Sequence, residues 1–365
     1  MMERARHILM TADAVGGVWQ YATDLSAALC ATRYRVTLAV FGPAPSADQR
    51  QAAQVPGLAM VETGLPLDWL CDGPEPVVAS AHALSDLARR ERVDLVHCNM
   101  PTLGGAAAFP VPLVAATHGC VASWWPAARE QPLPESFEWH RRLMVRGLTA
   151  AEALVAPSAA FAETIRHTYA LPAPPLVVHN GRSPSLAPAS PLLDAALTVG
   201  RLWDPVKNAA LLDRTAARLP HPFLAVGAAT GPHGEHFAPR HLQALGQIDS
   251  AAVGALLARR PVFVSAASFE PFGLAVLEAA QAGCALVLAD IATFRELWDG
   301  AALFVPSDDG NGFAAAIEHL IAHPFKRAEL GERAAGRAVR YTPQTTAEAM
   351  VQIYEGLLAP QEVAA

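Results

Sequence analysis

Short apolar segments with the composition of β-strands alternate with helical segments along the whole of this chain. The predicted strands of the first half are residues 7–11, 36–41, 58–62, 93–98, 113–117, 154–157 and 176–179. Those of the second half are residues 197–200, 222–226, 261–265, 284–289 and 302–305. A regular succession of strand and helix predicts parallel sheets covered by helices. The predicted fold class is therefore α/β, and ligands are expected at the carboxyl ends of the strands.

The length of 365 residues exceeds that of a usual single domain, which favours two domains of about 180 residues each. A segment rich in Pro, Ser and Ala interrupts the pattern at mid-chain, and strand–helix alternation restarts after it. We therefore expect a first domain over residues 1–181, a linker over 182–192 and a second domain over 193–343. Residues 344–365 contain a last helix with an apolar face.

The composition of 52% hydrophobic and 17% charged residues predicts a large core. No apolar run reaches about 18 residues and no signal peptide is evident, so we expect a cytoplasmic protein. The net charge of −7, without a basic run, argues against nucleic acid as a partner. The five cysteines are scattered and indicate reduced core residues, with neither a disulfide framework nor a metal site.

The segment Ser-Phe-Glu-Pro-Phe-Gly-Leu-Ala-Val-Leu-Glu (residues 268–278) is predicted to join a buried strand to a helix. Because proline cannot sit inside the helix, the helix is expected to begin at Phe272 or Gly273. Gly273 would let a ligand approach the first free amides of that helix. Glu270 then lies in the turn at the ligand face and Glu278 about two helical turns further on, although two such glutamates are by themselves also typical of a solvated helix.

Two further strand ends carry groups suited to phosphate. Gly16 and Gly17 close a loop between the first strand and the first helix, where backbone amides and a helix N-terminus can bind an anion, although such a pair more often forms only a tight turn. Gly-Arg-Leu-Trp-Asp-Pro-Val-Lys places Arg201 and Lys207 after another strand. Lysine is rare here, since Lys207 and Lys326 are the only two, and this makes Lys207 informative.

The end of the fifth predicted strand carries His118, followed by Gly119 and a Pro-rich stretch. We expect residues 121–137 to form an irregular loop of the kind that is usually functional or mobile. Trp124 and Trp125 in this loop could stack on an acceptor, enter a membrane surface or only pack the loop. Arginines on the following helix could contact anionic lipid headgroups, so a weak peripheral contact with a membrane is a possible further role of this segment.

These motifs together resemble the signature of glycosyltransferase family 4, the retaining nucleotide-sugar glycosyltransferases of GT-B fold. The resemblance extends from the Gly-Gly loop through His-Asn-Gly (residues 179–181) to the Glu-x7-Glu motif and the last helix. It implies two facing Rossmann-like domains, with the acceptor bound by the first and the donor by the second. It also implies that the last helix crosses back onto the first domain. The tryptophan-containing stretch matches no general pattern of the family, which leaves the acceptor open.

The resemblance assigns roles to individual residues. Arg201 and Lys207 would hold the diphosphate, Glu270 and the amides of Phe272, Gly273 and Leu274 the sugar, and Glu278 the ribose. Gly16 and Gly17 would lie under the diphosphate and sugar, Gln247 and Ile248 against the nucleobase, and His118 at the transferred sugar. Candidate residues on the acceptor side are Trp124, Trp125 and Tyr21.

The expected reaction is transfer of a hexose, from UDP-glucose ahead of GDP-mannose, to a saccharide, lipid or small hydroxylated acceptor. Leaving-group charge must be stabilised where it develops. The chain has no Asp-x-Asp motif, so Arg201, Lys207, glycine amides and a helix N-terminus would replace a divalent ion, and no cofactor is expected. A nucleotide-sugar 2-epimerase and a non-catalytic nucleotide-sugar-binding protein are the competing hypotheses, and the oligomeric state is open.

Overall fold

A computed structural model of the protein describes residues 4–188 and 190–359. Residues 1–3 of the predicted first domain, residue 189 of the predicted linker and residues 360–365 of the C-terminal segment lie outside the described residues. The described chain forms two compact units. The first comprises the described residues up to Gly181 and those from Pro343 onwards, and the second is Arg182–Thr342.

The first unit is built on a parallel sheet of seven strands. They are β1 (Arg6–Asp13), β2 (Tyr34–Phe41), β3 (Leu58–Glu62), β4 (Leu95–Cys98), β5 (Leu113–Ala116), β6 (Ala153–Ala156) and β7 (Leu176–Val177). Their order is β3-β2-β1-β4-β5-β6-β7. The direction of winding therefore reverses between β1 and β4, which leaves a crevice at the carboxyl ends of these two strands.

Helices cover both faces of this sheet, which explains why its central strands are apolar at successive positions. They are α1 (Gly17–Cys30), α2 (Ala47–Ala52), α3 (Glu75–Glu91), α4 (Thr102–Ala106), α5 (Val121–Ala128), α6 (Glu138–Ala150) and α7 (Ala159–Tyr169). Alternate residues of β1 enter different cores. Ile8 and Met10 pack in one hydrophobic cluster with Leu25 of α1, and Leu9 packs in the other with Leu84 of α3.

The second unit contains a parallel sheet of six strands. They are β8 (Ala196–Val199), β9 (Phe223–Val226), β10 (Gln243–Gly246), β11 (Val262–Ser265), β12 (Leu286–Ala289) and β13 (Ala302–Val305). The order β10-β9-β8-β11-β12-β13 again reverses, here between β8 and β11. The predicted α/β class with two Rossmann-like sheets is confirmed. Edge strand β10 escaped the sequence analysis because all four of its residues are exposed and carry no buried apolar run.

The helices of the second unit pack around a core that includes Phe263, Leu277 and Phe313. They are α8 (Ala209–Ala216), α9 (Ser250–Leu257), α10 (Leu274–Gln281), α11 (Ala292–Trp298), α12 (Gly310–Ala322) and α13 (Pro324–Ala338). The sequence also predicts a continuous helix over residues 205–219, and this prediction is wrong. A 3-10 turn at Pro205–Lys207 ends at Asn208, whose φ of 57° is incompatible with a helix, and α8 begins after it.

The last helix, α14 (Pro343–Leu358), belongs to the first unit and packs against α1. Its buried face includes Met350 and Tyr354, both without exposed surface. The hydroxyl of Tyr354 lies 2.6 Å from Nδ1 of His97 in β4, so the helix also makes a buried polar contact with the sheet.

The irregular loop predicted over residues 121–137 is wrong in its first part, because residues Val121–Ala128 form α5. The backbone N–H of Cys120 donates to Oγ of Ser123 at 3.1 Å, which caps the start of the helix. Pro126 lies inside α5 and removes one backbone donor, a loss that a helix of eight residues tolerates without becoming a loop. A 3-10 turn at Glu135–Phe137 follows before α6.

Candidate functional site

An ion pair lies at the point where the second sheet reverses. Lys207 follows β8, Glu270 follows β11, and Nζ of Lys207 donates to Oε2 of Glu270 at 2.6 Å. Both side chains are about one-fifth exposed, at 22% and 19%. The pair is therefore partly shielded from water, yet a ligand in the crevice can reach it.

Glycines shape the pocket around this pair, which is also lined by Gly200 and Gly273. Gly227 at the end of β9 has a φ of 136°, and a Cβ on it would lie 1.7 Å from the carbonyl oxygen of Gly200. A side chain at position 227 would therefore push the Gly200 loop away from β9. The stem of Lys207 lies over Gly200, since a Cβ there would be 3.9 Å from Cδ of the lysine.

Helix α10 begins at Leu274, slightly later than the sequence indicated, with Gly273 as its N-cap. Gly273 adopts a φ of 94°, a conformation that disfavours any other residue. A Cβ at this position would also lie 3.3 Å from Cγ of Glu270. Phe272 is buried and its ring packs edge-on against Tyr341 at 5.6 Å, so its backbone alone is placed to meet a ligand. The start of the helix and Glu270 thus share one crowded corner of the pocket.

Arg201 lies on the same short segment as Lys207. Its guanidinium donates to Oδ2 of Asp204 at 2.8 Å and stacks over the ring of Trp203 at 5.5 Å. Asp204 is buried and also accepts from the backbone N–H of Val206, at the start of the 3-10 turn that carries Lys207. One buried carboxylate therefore fixes both the arginine and the turn.

Glu278 lies on α10 and accepts a hydrogen bond of 2.7 Å from Nε of Arg182. Gln247 and Ile248 follow the edge strand β10, the first exposed and the second half-buried. The segment that leads into β10 is held by Asp213 of α8, whose Oδ1 accepts from the backbone N–H groups of residues 240, 241 and 242 at 2.9, 2.8 and 2.9 Å. Burial opposes ionisation of Asp213, but these three bonds outweigh it and lower its pKa.

The first unit brings a second set of predicted residues to the reversal point of its own sheet. Gly16 and Gly17 follow β1, and Oδ1 of Asp13 accepts from the N–H groups of Val15 and Gly16 at 2.9 and 3.1 Å. Gly16 is the N-cap of α1 and Gly17 its first residue. The loop is thus an aspartate-stabilised turn that leads directly into the N-terminus of a helix of 14 residues.

His118 follows β5 and contacts two side chains. Its Nε2 lies 2.9 Å from Oδ1 of Asn99, and its ring packs against Tyr21 at 4.3 Å between centroids. Asn99 is oriented by Thr11, because Nδ2 of Asn99 donates to the carbonyl oxygen of Thr11 at 2.6 Å. Oδ1 of Asn99 can then only accept, so His118 carries a proton on Nε2. Tyr21 is buried, and its predicted contact with an acceptor stays a prediction.

Asn99 also links His118 to His97, which the sequence analysis did not single out. Nε2 of His97 lies 3.2 Å from the same Oδ1, and its Nδ1 faces the hydroxyl of Tyr354. Burial lowers the pKa of His97 to about 4, against a smaller opposite effect of its bond to Asn99. Burial and the nearby His97 lower the pKa of His118 to about 3. Both imidazoles are therefore neutral at pH 7.

Trp124 and Trp125 lie on α5 and pack within their own segment. The guanidinium of Arg129 lies over both rings, at 5.2 and 5.9 Å. Nε1 of Trp125 donates to the carbonyl oxygen of Gln131 at 2.8 Å, and its ring contacts Phe137 at 5.6 Å. These contacts support the alternative in which the tryptophans pack this segment. Their contact with an acceptor stays a prediction.

The structure thus brings the predicted residues together as two groups, one in each unit. Arg201, Lys207, Glu270, Phe272, Gly273 and Leu274 lie around the reversal of the second sheet, with Glu278 further along α10 and Gln247 and Ile248 beyond the edge strand. Gly16, Gly17, Tyr21 and His118 lie around the reversal of the first. Asn99 was not among the site residues predicted from the sequence, although it directly follows a predicted strand. Arg182 and Asp213 were not among them either, because no motif marks them.

Two features that would suggest other chemistry do not occur in the part of the chain that the structure describes. Within it, no group of three or more His, Cys, Asp or Glu side chains is arranged to hold a metal ion. Nor do any of its helices combine the length and apolarity required to cross a lipid bilayer.

Comparison with known protein families identifies both halves of the chain. The model described as Glycosyltransferase Family 4 matches residues 15–186, and the model described as Glycosyl transferases group 1 matches residues 194–323. A phosphatidyl-myo-inositol mannosyltransferase of Mycolicibacterium smegmatis is 30% identical over 196 residues, 49% of this chain and 51% of that protein. The matched region thus spans about half the length of this curated relative.

Solved structures share the fold over nearly the whole chain. Sucrose-phosphate synthase from Thermosynechococcus elongatus superposes with a TM-score of 0.80 at 19% identity, covering 97% of this chain and 99% of that one. The Anabaena protein HepE in complex with UDP-glucose superposes with a TM-score of 0.76 at 20% identity, covering 96% and 100%. The two sheets and their helices therefore have the GT-B fold of these structures. Together with the two family models, this shows that the chain belongs to glycosyltransferase family 4.

Proposed function

We propose that this protein is a retaining, metal-independent hexosyltransferase that uses a nucleoside-diphosphate sugar as donor. UDP-glucose is the favoured donor and GDP-mannose the next. The acceptor is a hydroxyl group of a saccharide, a lipid or a small hydroxylated molecule. The observation that carries the proposal is the pair of Lys207 and Glu270 at 2.6 Å, at the reversal of the second sheet and beside the start of α10.

The pair suits the two ends of the bond that must break. A diphosphate leaving group gains negative charge as the glycosidic bond opens, and a nearby cation lowers the energy of that state. Lys207 supplies this charge, and Arg201, held by Asp204 on the same segment, supplies a second. Glu270 accepts hydrogen bonds from sugar hydroxyls, while Lys207 neutralises it and so limits its repulsion of the diphosphate.

The amides at the start of α10 contribute to the same task. The first N–H groups of a helix lack partners within the helix and carry partial positive charge. Gly273 allows a sugar or phosphate to approach them, since no side chain stands in the way. These fixed dipoles and the two cations supply the charge stabilisation that a divalent ion provides in metal-dependent transferases. We therefore propose that the reaction needs no metal.

The proposed bonding changes retain the configuration at C1 of the sugar. The bond between C1 of the sugar and the β-phosphate oxygen breaks, and its electron pair stays on the phosphate. The acceptor oxygen bonds to C1 on the same face, and its proton passes to the departing phosphate. Glu270 positions the sugar and is not the nucleophile. The family resemblance assigns His118 of the first unit to the transferred sugar, and its neutral imidazole would bring no charge to that contact.

Two relatives guide the choice of donor. HepE was solved with UDP-glucose, which supports UDP-glucose as the first candidate. The mycobacterial relative is a mannosyltransferase, which supports GDP-mannose as the second. Neither relative determines the acceptor.

The proposal is tested by release of nucleoside diphosphate from UDP-glucose and GDP-mannose, with and without acceptors and in the presence of EDTA. Lys207→Ala and Glu270→Ala should each slow turnover about 100- to 1000-fold, the loss typical of removing one group that stabilises transition-state charge. The chain offers matched controls, because Lys326 and Glu329 form an exposed pair at 2.9 Å on α13. Lys326→Ala and Glu329→Ala should retain wild-type rates.

Full activity in Lys207→Ala or Glu270→Ala would refute the assignment of the site. Loss of activity in EDTA would refute metal independence, and inversion of the product's anomeric configuration, read by NMR, would refute retention. Isomerisation of the sugar without any acceptor would indicate the 2-epimerase instead. Donor binding without turnover, with every acceptor class, would indicate a non-catalytic binding protein.

A further inference from the structure

Arg182, which lies outside the family motifs, contacts the carboxylate that the family resemblance assigns to the ribose of the donor. Arg182 is the first residue of the second unit. Its Nε donates to Oε1 of Glu278 at 2.7 Å. The two side chains are 19% and 25% exposed, so the bond is partly shielded while Glu278 stays accessible to a ligand.

The backbone of Arg182 is fixed by hydrogen bonds through both its N–H and its carbonyl oxygen, which holds the side chain in position for this contact. Its carbonyl oxygen accepts from Nε2 of Gln281 at 2.6 Å, and its N–H donates to the carbonyl oxygen of Tyr341 at 3.2 Å. Glu278 and Gln281 are three residues apart on α10 and so share one helix face. Arg182 therefore lies across this face and is held by it at two points.

The position of Glu278 matches the geometry of a nucleoside diphosphate. It is five residues beyond Gly273, a rise of about 7.5 Å along α10. A diphosphate at the start of the helix would place the adjoining ribose beside this carboxylate. The bond from Arg182 engages Oε1 and so sets the rotation of the carboxylate about its last bond. An oriented carboxylate can accept hydrogen bonds from the two neighbouring ribose hydroxyls.

We propose that Arg182 is a positioning residue that orients Glu278 and thereby determines the preference of the donor site for ribose over 2′-deoxyribose. This inference rests on the proposed function, and on the role in ribose binding that the family resemblance assigns to Glu278. Arginine is suited to the task because its planar guanidinium holds a carboxylate in a defined direction, whereas lysine supplies only a mobile point charge.

The test measures binding of UDP, 2′-deoxy-UDP, GDP and 2′-deoxy-GDP by titration calorimetry. Wild-type protein should bind the ribonucleotide at least about tenfold more tightly than its deoxy form, since the ribose hydroxyls bond to a charged group. Arg182→Ala removes a positive charge and should weaken the binding of all four nucleotides. The diagnostic quantity is therefore the ratio of the affinity for the ribonucleotide to the affinity for its deoxy form. We expect this ratio to fall about threefold in Arg182→Ala, because Glu278 keeps its charge but loses its fixed orientation, with Arg182→Lys in between. Glu278→Gln should abolish the preference in either background.

Arg333→Ala is the matched control, because Arg333 pairs with Glu329 on the surface of the same unit. It should leave affinities and ratio unchanged, and thermal melting should confirm that all variants are folded. If Arg182→Ala weakens the binding of ribo- and deoxyribonucleotides by the same factor, or changes neither, the role of Arg182 is refuted while the proposed function stands. If wild-type protein binds UDP or GDP without preferring ribose, the role of Glu278 is refuted too. If it binds none of the four nucleotides, the proposed function itself fails, and this inference with it.

Discussion

His97 should make the first unit of this protein sensitive to mild acid. The side chain has no exposed surface and lies between Tyr354 of α14 and Asn99. Burial lowers its pKa from 6.5 to about 4. Protonation must therefore either place an uncompensated charge in the core or accompany unfolding of the surrounding structure.

The direction and size of the effect follow from proton linkage. The folded pKa is lower than the unfolded one, so between pH 4 and 6.5 the unfolded chain binds more protons. The stability that neutral His97 confers is complete above pH 6.5 and is lost as the pH falls towards 4. Between pH 7 and pH 5 this residue alone should lower the free energy of unfolding by about 1.8 kcal/mol. The figure depends mainly on the unfolded pKa, because at pH 5 the folded imidazole is still largely neutral.

Hydrogen–deuterium exchange measures this effect in the right part of the molecule. Peptides that cover β1 and β4 should give the free energy of opening of the first sheet at pH 5, 6 and 7, after correction for the intrinsic exchange rate. His97→Gln retains hydrogen-bonding atoms but cannot be protonated. Between pH 7 and pH 5, the free energy of opening should therefore fall by about 1.8 kcal/mol less in this variant than in the wild type. His167→Gln, at an exposed position, should behave as wild type. An unchanged pH dependence in His97→Gln would refute this reasoning.

The remaining predictions concern two backbone supports of the second unit. Gly227→Ala should destabilise this unit by about 2 kcal/mol or more, because it combines a strained φ with a clash at the carbonyl oxygen of Gly200. Gly336→Ala, a helix position with open space around it, should instead stabilise by about 0.5 to 1 kcal/mol; equal thermal shifts in both variants would contradict this. Asp213→Ala leaves three backbone N–H groups without their acceptor and should weaken donor binding about tenfold. Hydrogen exchange at residues 240–242 should accelerate in parallel, and unchanged exchange there would contradict the role of Asp213.

The sequence predicted the fold well where burial imposes a pattern. The central strands lie under helices on both faces, so their residues are apolar without interruption, as at Ile8, Leu9 and Met10 of β1. Strand β10 lies at an edge and is exposed at every residue, so the sequence has no apolar run that would predict it. Helix α5 was missed for the opposite reason, because its proline and tryptophans resemble a loop while local capping by Ser123 makes a helix.

The types of residue at the candidate site could also be predicted in part. A glycine after a strand and a rare lysine indicated a phosphate site, and the family resemblance added Glu270 as a contact to the sugar. The supporting residues Asn99, Arg182 and Asp213 left no comparable signal, because common polar residues outside a motif resemble ordinary surface positions. Their importance depends on which atoms they face.

The sequence by itself determined the α/β class, most strand positions and the residues Lys207, Glu270 and His118 as candidates. The class and the strands follow from periodicity and glycine positions, which are local properties of the chain, and the three candidates follow from their resemblance to the family motifs. Only the tertiary structure decided which side chains meet. Lys207 and Glu270 are 63 residues apart, Arg182 and Glu278 are 96 apart, and His97 and Tyr354 are 257 apart. These contacts depend on the order of strands in each sheet and on the return of α14 to the first unit, and local sequence patterns encode neither.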